Sequence, residues 1–140
     1  MTQPISRKLK AAVLALGGNA FQWQLKDYQV LNNTEDGEKF YVYGDGSAAT
    51  EFFEEAEPSY ALQLVFFSDW RLNGVSDYLW DNDQLTVAYQ IDHHPELAGE
   101  KIRLTGTLKI KAPNVGGEVR TTEMTELTLP VIGKPTKTRL

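Results

Sequence analysis

Apolar and polar residues alternate along much of this chain. From Lys101 to Lys111, Ile102, Leu104, Leu108 and Ile110 fall on one side, and Lys101, Arg103, Thr105, Thr107, Lys109 and Lys111 on the other. That period of two marks an antiparallel strand with one buried face. Gly106 interrupts the apolar side in mid-strand and predicts a close backbone approach or a bulge. Leu85, Val87, Tyr89 and Ile91 alternate in the same way with Gln84, Thr86, Ala88 and Gln90. Tyr60 to Phe67 is apolar on both sides apart from Gln63, which predicts a central strand covered on each face. Shorter strands are expected around Phe21, Trp23 and Leu25, from Phe40 to Tyr43, and through Leu127, Leu129 and Val131. Residues 7–16 satisfy both the helical and the strand period and are assigned to a strand. Turn chemistry separates these segments at Gly17-Gly18-Asn19, Asn32-Asn33 with Asp36-Gly37, Gly44-Asp45-Gly46, His94-Pro95 with Gly99, and Gly116-Gly117.

One short helix is expected at about residues 73–82. Val75, Tyr78 and Leu79 recur at i, i+3 and i+4, and Asn73 is placed to cap the first turn. Ala48 to Glu57 contains good helix formers, but its four glutamates repel one another, so it reads as a mobile acidic loop with at most one turn. Many short strands with a single helix predict a mainly β fold, an antiparallel β-sandwich or barrel with one flanking helix. The whole chain, residues 1–140, reads as one domain with an N-terminal arm (1–10), an acidic loop (45–59) and a C-terminal tail (133–140). At 140 residues such a domain buries roughly two-thirds of the surface its unfolded chain exposes, enough for a core without staples.

Charge changes the picture more than composition does. Residues 1–47 carry five basic and five acidic side chains, residues 48–100 one basic and eleven acidic, and residues 101–140 eight basic and three acidic. This segregation marks either two oppositely charged parts pairing within one fold or complementary surfaces on neighbouring copies. The candidate assembly residues are Glu51, Glu54, Glu55 and Glu57 on the acidic side and Lys109 and Lys111 on the basic side. A net charge of −5 argues against general nucleic-acid binding, which runs on clustered Lys and Arg. Arg7, Lys8 and Lys10 before Ala11 to Leu16 imitate a signal peptide, but six apolar residues fall short of the roughly 7–15 such signals need. No stretch approaches the roughly 20 apolar residues that span a bilayer, so no membrane partner is expected.

Candidate chemistry is sparse. The absence of cysteine removes disulfides, thiolate zinc sites and thiol nucleophiles. His93 and His94 are adjacent, so alternation would aim them to opposite sides of an extended strand, whereas two ligands of one metal must converge. No Gly-x-Ser-x-Gly elbow accompanies them. The glutamate run lacks the glycine bend of a calcium loop and gives no reason for two carboxyls to be held in a cleft. Gly44-Asp45-Gly46-Ser47 is too short for a phosphate loop. Trp23, Trp70, Trp80, Tyr60, Tyr78 and Tyr89 are the residues from which a sugar-stacking platform would be built, though most fall on core-facing positions. No catalytic, cofactor or metal residue is assigned, and the chain is expected not to be an enzyme.

Read in order, several phrases share one resemblance: Gly17-Gly18-Asn19-Ala20-Phe21-Gln22-Trp23, Leu31-Asn32-Asn33-Thr34-Glu35-Asp36-Gly37, Glu57-Pro58-Ser59-Tyr60-Ala61-Leu62, Ser68-Asp69-Trp70, and Gly74-Val75-Ser76-Asp77-Tyr78-Leu79-Trp80-Asp81-Asn82. They continue with Leu104-Thr105-Gly106, Ala112-Pro113-Asn114-Val115-Gly116-Gly117-Glu118 and Leu129-Pro130-Val131-Ile132-Gly133-Lys134-Pro135-Thr136. The series resembles the major tail, or tail tube, proteins of long non-contractile-tailed bacteriophages. It covers nearly the whole chain, with the first ten residues matching least. The resemblance implies a structural virion protein made in the host bacterial cytoplasm. It further implies homo-hexameric rings stacked head to tail into a tube through which DNA passes without sequence-specific contact, with tape-measure and other tail proteins as partners. It also implies that Tyr78, Leu79 and Trp80 pack against the sandwich. A tail terminator or neck ring, and a β-sandwich module binding carbohydrate or a bacterial toxin, are the alternatives.

Overall fold

The computed structural model describes residues 3–140, so Met1 and Thr2 of the expected arm lie outside the described residues. The elements are β1 (Ala12–Leu16), β2 (Asn19–Ala20), β3 (Leu25–Asn32), β4 (Lys39–Val42), β5 (Thr50–Phe53), β6 (Tyr60–Phe67), α1 (Val75–Asp81), β7 (Thr86–His93), β8 (Ile102–Lys109) and β9 (Met124–Arg139). Seven strands form one antiparallel sheet in the order β2-β1-β7-β8-β9-β6-β3, and β4 pairs with β5 in a separate ribbon. The fold is thus mainly β with one short helix, its large sheet curled into an open half-barrel.

The curl follows from β9. Its first half, Met124–Val131, pairs with β6, and its second half, Val131–Arg139, pairs with β8. Only around Val131 does it serve both. A register shift opposite Thr105 and Thr107 absorbs extra residues at Gly133, whose φ of 71° belongs to the left-handed region that glycine occupies without a Cβ penalty. One strand therefore turns the corner between two half-sheets, as strands do where sheets pack across one another. Leu14, Leu16, Tyr89, Ile91, Leu108 and Ile110 from one half meet Leu62, Leu64, Phe66 and Leu129 from the other, with Val75 and Leu79 of α1 completing the same cluster. Each such aliphatic or aromatic side chain, fully buried, contributes about 1.5–3 kcal/mol before chain entropy is counted.

The alternation read from the sequence places these residues correctly, and Gly106 does what its position predicted. It pairs with Tyr89, and a Cβ built on it would lie 3.0–3.2 Å from the Tyr89 ring and hydroxyl. Other expectations need correction. The stretch 48–57 contains strand β5 rather than only an acidic loop, because Phe52 and Phe53 outweigh the neighbouring glutamates once β4 supplies a partner. The tail from residue 133 is the second half of β9, with Pro135 tolerated where the strand has only one paired side. β6 is fully sealed on one face and partly covered on the other: Leu62, Leu64 and Phe66 are buried, whereas on the second face Ala61 is buried, Gln63 and Val65 half-buried and Phe67 exposed. Residues 22–24 form a turn, and residues 3–11 have no regular structure. Asn73 does not cap α1. Gly74 holds that position without a side-chain bond, and the Asp69 carbonyl accepts from the Ser76 and Asp77 amides at 3.1 and 3.4 Å. A Cβ on Gly74 would sit 2.5 Å from that carbonyl oxygen, so only glycine permits the approach.

At the mouth of the half-barrel, Tyr28 of β3 reaches across to His93 of β7. Its hydroxyl and the imidazole Nδ1 share a hydrogen bond. Burial, reinforced by the Glu96 charge, pushes the Tyr28 hydroxyl up to about 12 and keeps it protonated. Burial, then the neighbouring His94, holds the His93 imidazole below its ordinary value against the opposing pull of Glu96. The unfolded chain therefore takes up a proton at about pH 6.5 that the folded chain refuses. This contribution to stability is complete above about pH 6.5 and is lost as pH falls towards and through the folded value. Urea midpoints measured from pH 7.5 to 5 should fall with decreasing pH, and His93→Gln should flatten that slope. Identical slopes for the two proteins would show that His93 is not its source.

Candidate assembly surfaces

The β4–β5 ribbon leaves the body after Asn32 and returns at Tyr60. Among the described residues, neither of its strands packs against any strand or helix other than its partner. The pairing Lys39–Phe53, Phe40–Phe52, Tyr41–Glu51 and Val42–Thr50 gives the ribbon two different faces. On one, Phe40 and Phe52 stack with ring centroids 5.6 Å apart, beside Val42. On the other, Lys39 pairs with Glu51 at 2.5 Å and lies 5.2 Å from the centre of the Tyr41 ring. Every residue of both strands is exposed, and Tyr43 next to the tip is 93% exposed. At the tip, the Asp45 carboxylate accepts from the Ser47 amide at 2.9 Å. The Ser47 hydroxyl and amide together hold that carboxyl below the usual carboxylate range.

The six predicted assembly residues fall into two places that the subunit does not bring together. Glu51 lies on β5, and Glu54, Glu55 and Glu57 follow it, all exposed. Lys109 ends β8 and Lys111 follows it, both exposed and on the polar side as predicted. Among the described residues, one ion pair joins the acidic middle segment to the basic C-terminal one: Arg103 to Asp92, at 2.8 Å. Residues 34–57 carry eight acidic side chains and one basic, a net charge of −7, and their one ion pair is the local Lys39–Glu51 contact. Pairing within one fold therefore accounts for little of the charge segregation.

Two features escaped the sequence reading. The ribbon's aromatics, Phe40, Tyr41, Phe52 and Phe53, are solvent-facing, and the run of glutamates masked the strand that carries Phe52 and Phe53. The tryptophans are also outside the core: Trp23 is 86%, Trp80 52% and Trp70 37% exposed. Trp80 thus does not pack as core, although Leu79 does and Tyr78 is half-buried against Phe21, with ring centroids 5.2 Å apart. The signal was present, since Trp80 lies off the Val75–Tyr78–Leu79 stripe and Trp23 and Trp70 sit in turns. The adjacent histidines also differ from expectation. His94 leaves the strand with φ of 52°, so its ring approaches that of His93 to 4.3 Å instead of pointing away, and its Nδ1 lies 3.5 Å from Glu96. Among the described residues, no group of three His, Asp or Glu side chains is arranged to hold a metal ion.

The chain matches no protein-family model and no curated protein.

Because the ribbon makes no contact with the core, its exposed aromatics should be dispensable for stability. Tyr41→Ser with Phe53→Ser should shift the unfolding free energy by no more than about 0.5 kcal/mol, as surface substitutions do. Chemical denaturation checks this, and a loss of several kcal/mol would place the ribbon against the body.

Proposed function

We propose that this chain is a structural virion subunit of the tail-tube kind, which assembles with copies of itself and does no catalysis. The observation that carries the reading is the β4–β5 ribbon, an acidic, aromatic hairpin held away from the body. Exposed apolar clusters of this sort on a folded domain mark surfaces that another molecule covers. A contact between the ribbon of one copy and a different surface of the next is heterologous, and heterologous contacts propagate into rings and stacks. The resemblance of the ordered phrases from Gly17 to Thr136 supports the same reading and supplies its details: rings of six, stacking into a tube, passage of DNA, and tape-measure and other tail proteins as neighbours.

Charge fits the proposal in two ways. Acidic residues on the ribbon and basic residues at Lys109 and Lys111 would steer one copy onto the next in a fixed orientation. A net acidic subunit also suits a conduit, because a basic wall would neutralise passing phosphates and hold them. DNA binding by the subunit itself is accordingly expected to be weak.

Negative-stain electron microscopy of the purified chain tests the proposal directly. Tubes support it, rings that do not stack favour a terminator or neck ring, and a persistent monomer at high concentration removes self-assembly. Assembly should weaken with salt, since the Debye length shrinks from about 10 Å at 0.1 M to about 3 Å at 1 M. Each exposed pair is worth at most about 1 kcal/mol, but a ring repeats it in every subunit. Lys109→Glu with Lys111→Glu should slow or abolish polymerisation while the monomer stays folded. If that variant assembles as well as the parent at low salt, apolar and backbone contacts hold the assembly instead.

A further inference from the structure

At the end of β3 and β6 opposite the ribbon, an open groove of about 780 Å³ runs between Trp23 and Trp70, with Phe67 beside them. Trp23 is almost wholly in water, on a turn whose other aromatic, Phe21, is buried. An indole so placed adds nothing to the core and presents its face to solvent, which is the position of a recognition residue. Trp70 is held edge-on by Trp80, with centroids 6.1 Å apart and planes at 66°.

The backbone around these rings is fixed from three sides. The Phe67 amide donates to the Gln24 carbonyl at 2.9 Å, and the Ser68 amide to the Glu123 carbonyl at 3.1 Å. The Asp69 amide donates at 3.1 Å to the hydroxyl of Ser76, a fully buried residue. The Arg71 guanidinium grips both Asp69 carboxylate oxygens at 2.9 and 3.0 Å. Gly74 permits this close approach of the loop to α1. The loop bearing Trp70 is therefore preorganised, which lowers the entropy lost on binding.

We propose that this groove binds a neutral, β-linked oligosaccharide. A hexopyranose with equatorial hydroxyls has flat C–H faces that stack on indoles and a rim of hydroxyls that needs planar donors and acceptors. The groove interleaves the two kinds of group, with Gln24, Glu123, Asp69 and Arg71 lining it beside the rings. The charge pattern selects the occupant. Arg71 is paired with Asp69, and with Glu123 the lining carries a net charge of −1, which disfavours an acidic sugar. Glu123 also repels the ribbon of a second copy with its net charge of −7. This site is independent of the assembly reading and sits on a different end of the molecule.

The test titrates the full chain with the tetrasaccharides of β-1,4-linked N-acetylglucosamine and β-1,4-linked glucose, with tetragalacturonate as the acidic control. Tryptophan fluorescence and the indole N–H resonances are the readouts. A saturable response at Trp23 and Trp70 to at least one neutral sugar is expected, with a Kd of about 1 mM or tighter. Trp23→Ala and Trp70→Ala should each weaken it about tenfold, and neither should unfold the chain, since both rings lie outside the core cluster. The absence of a saturable response to both neutral sugars would overturn the proposal. So would unchanged binding by the two variants, or a preference for the acidic control. If the variants reduce self-association and sugars have no effect, the groove is a subunit contact.

Discussion

The architecture depends on one strand having two partners. β9 is 16 residues long, about twice the length of β6 or β8, and it pairs with each over a different half. In a flat sheet that arrangement would stagger β6 and β8 along β9 and leave both of their apolar faces uncovered. Bending β9 beyond Val131 swings β8, β7 and β1 over β6 and β3, and the two apolar faces then cover each other. The bulge at Gly133 is therefore the feature from which the enclosed core and the open mouth follow. Because the closure is incomplete, the Tyr28–His93 contact spans what would be the seam of a full barrel, and it places a titrating group where the two halves meet.

Much of this was legible in the sequence. Ile102 to Ile110, interrupted only at Gly106, and Val87 to Ile91 announce their strands by alternation, since a face that packs on a core is apolar at every second position, whereas Leu85 precedes β7 and is exposed. The helix at Val75–Asp81 is visible in its i, i+3, i+4 stripe. The course of the second half of β9 was not legible, because Gly133 and Pro135 carry the chemistry of a chain end or turn and only long-range pairing with β8 shows otherwise. β5 was hidden for a similar reason. A strand whose only partner is β4 carries no pattern of burial, and its glutamates belong to a surface that faces solvent on every side. Among the candidate site residues, the exposure of the glutamates followed from their charge and that of Lys109 and Lys111 from the alternation of their strand. Their separation in space did not, because it depends on the direction in which the ribbon leaves the body.

The positions of the tryptophans show the same limit from the other side. A large aromatic residue in a β-rich chain is most economically read as core, and Phe21, Phe66 and Tyr89 fit that expectation. Trp23, Trp70 and Trp80 differ because each lies where the chain has left its strand or turned off its buried stripe. Burial within the strands and the helix follows the period of each element, and these three rings lie outside it. Residues of that kind are where the folding requirement has been satisfied by others and a different requirement can act. The rigid loop beneath Trp70, held by Ser76, Gly74 and the Arg71–Asp69 fork, has the same character: it spends polar contacts on fixing a side chain that the core does not need.

The ribbon and the body therefore differ in what stabilises them. The body is held by a continuous cluster drawn from both halves of the sheet and from α1. The ribbon has two short strands, one stacked pair of phenylalanines and one surface ion pair, and an isolated two-stranded hairpin is only marginally stable in water. Local opening of the ribbon exposes little that is not already exposed, so its opening free energy sits far below that of the core. A partner that covers the Phe40–Phe52 face would supply the burial the ribbon lacks on its own. If the chain assembles with copies of itself as proposed, the stability of the ribbon rises with association, while the core keeps its stability in either state.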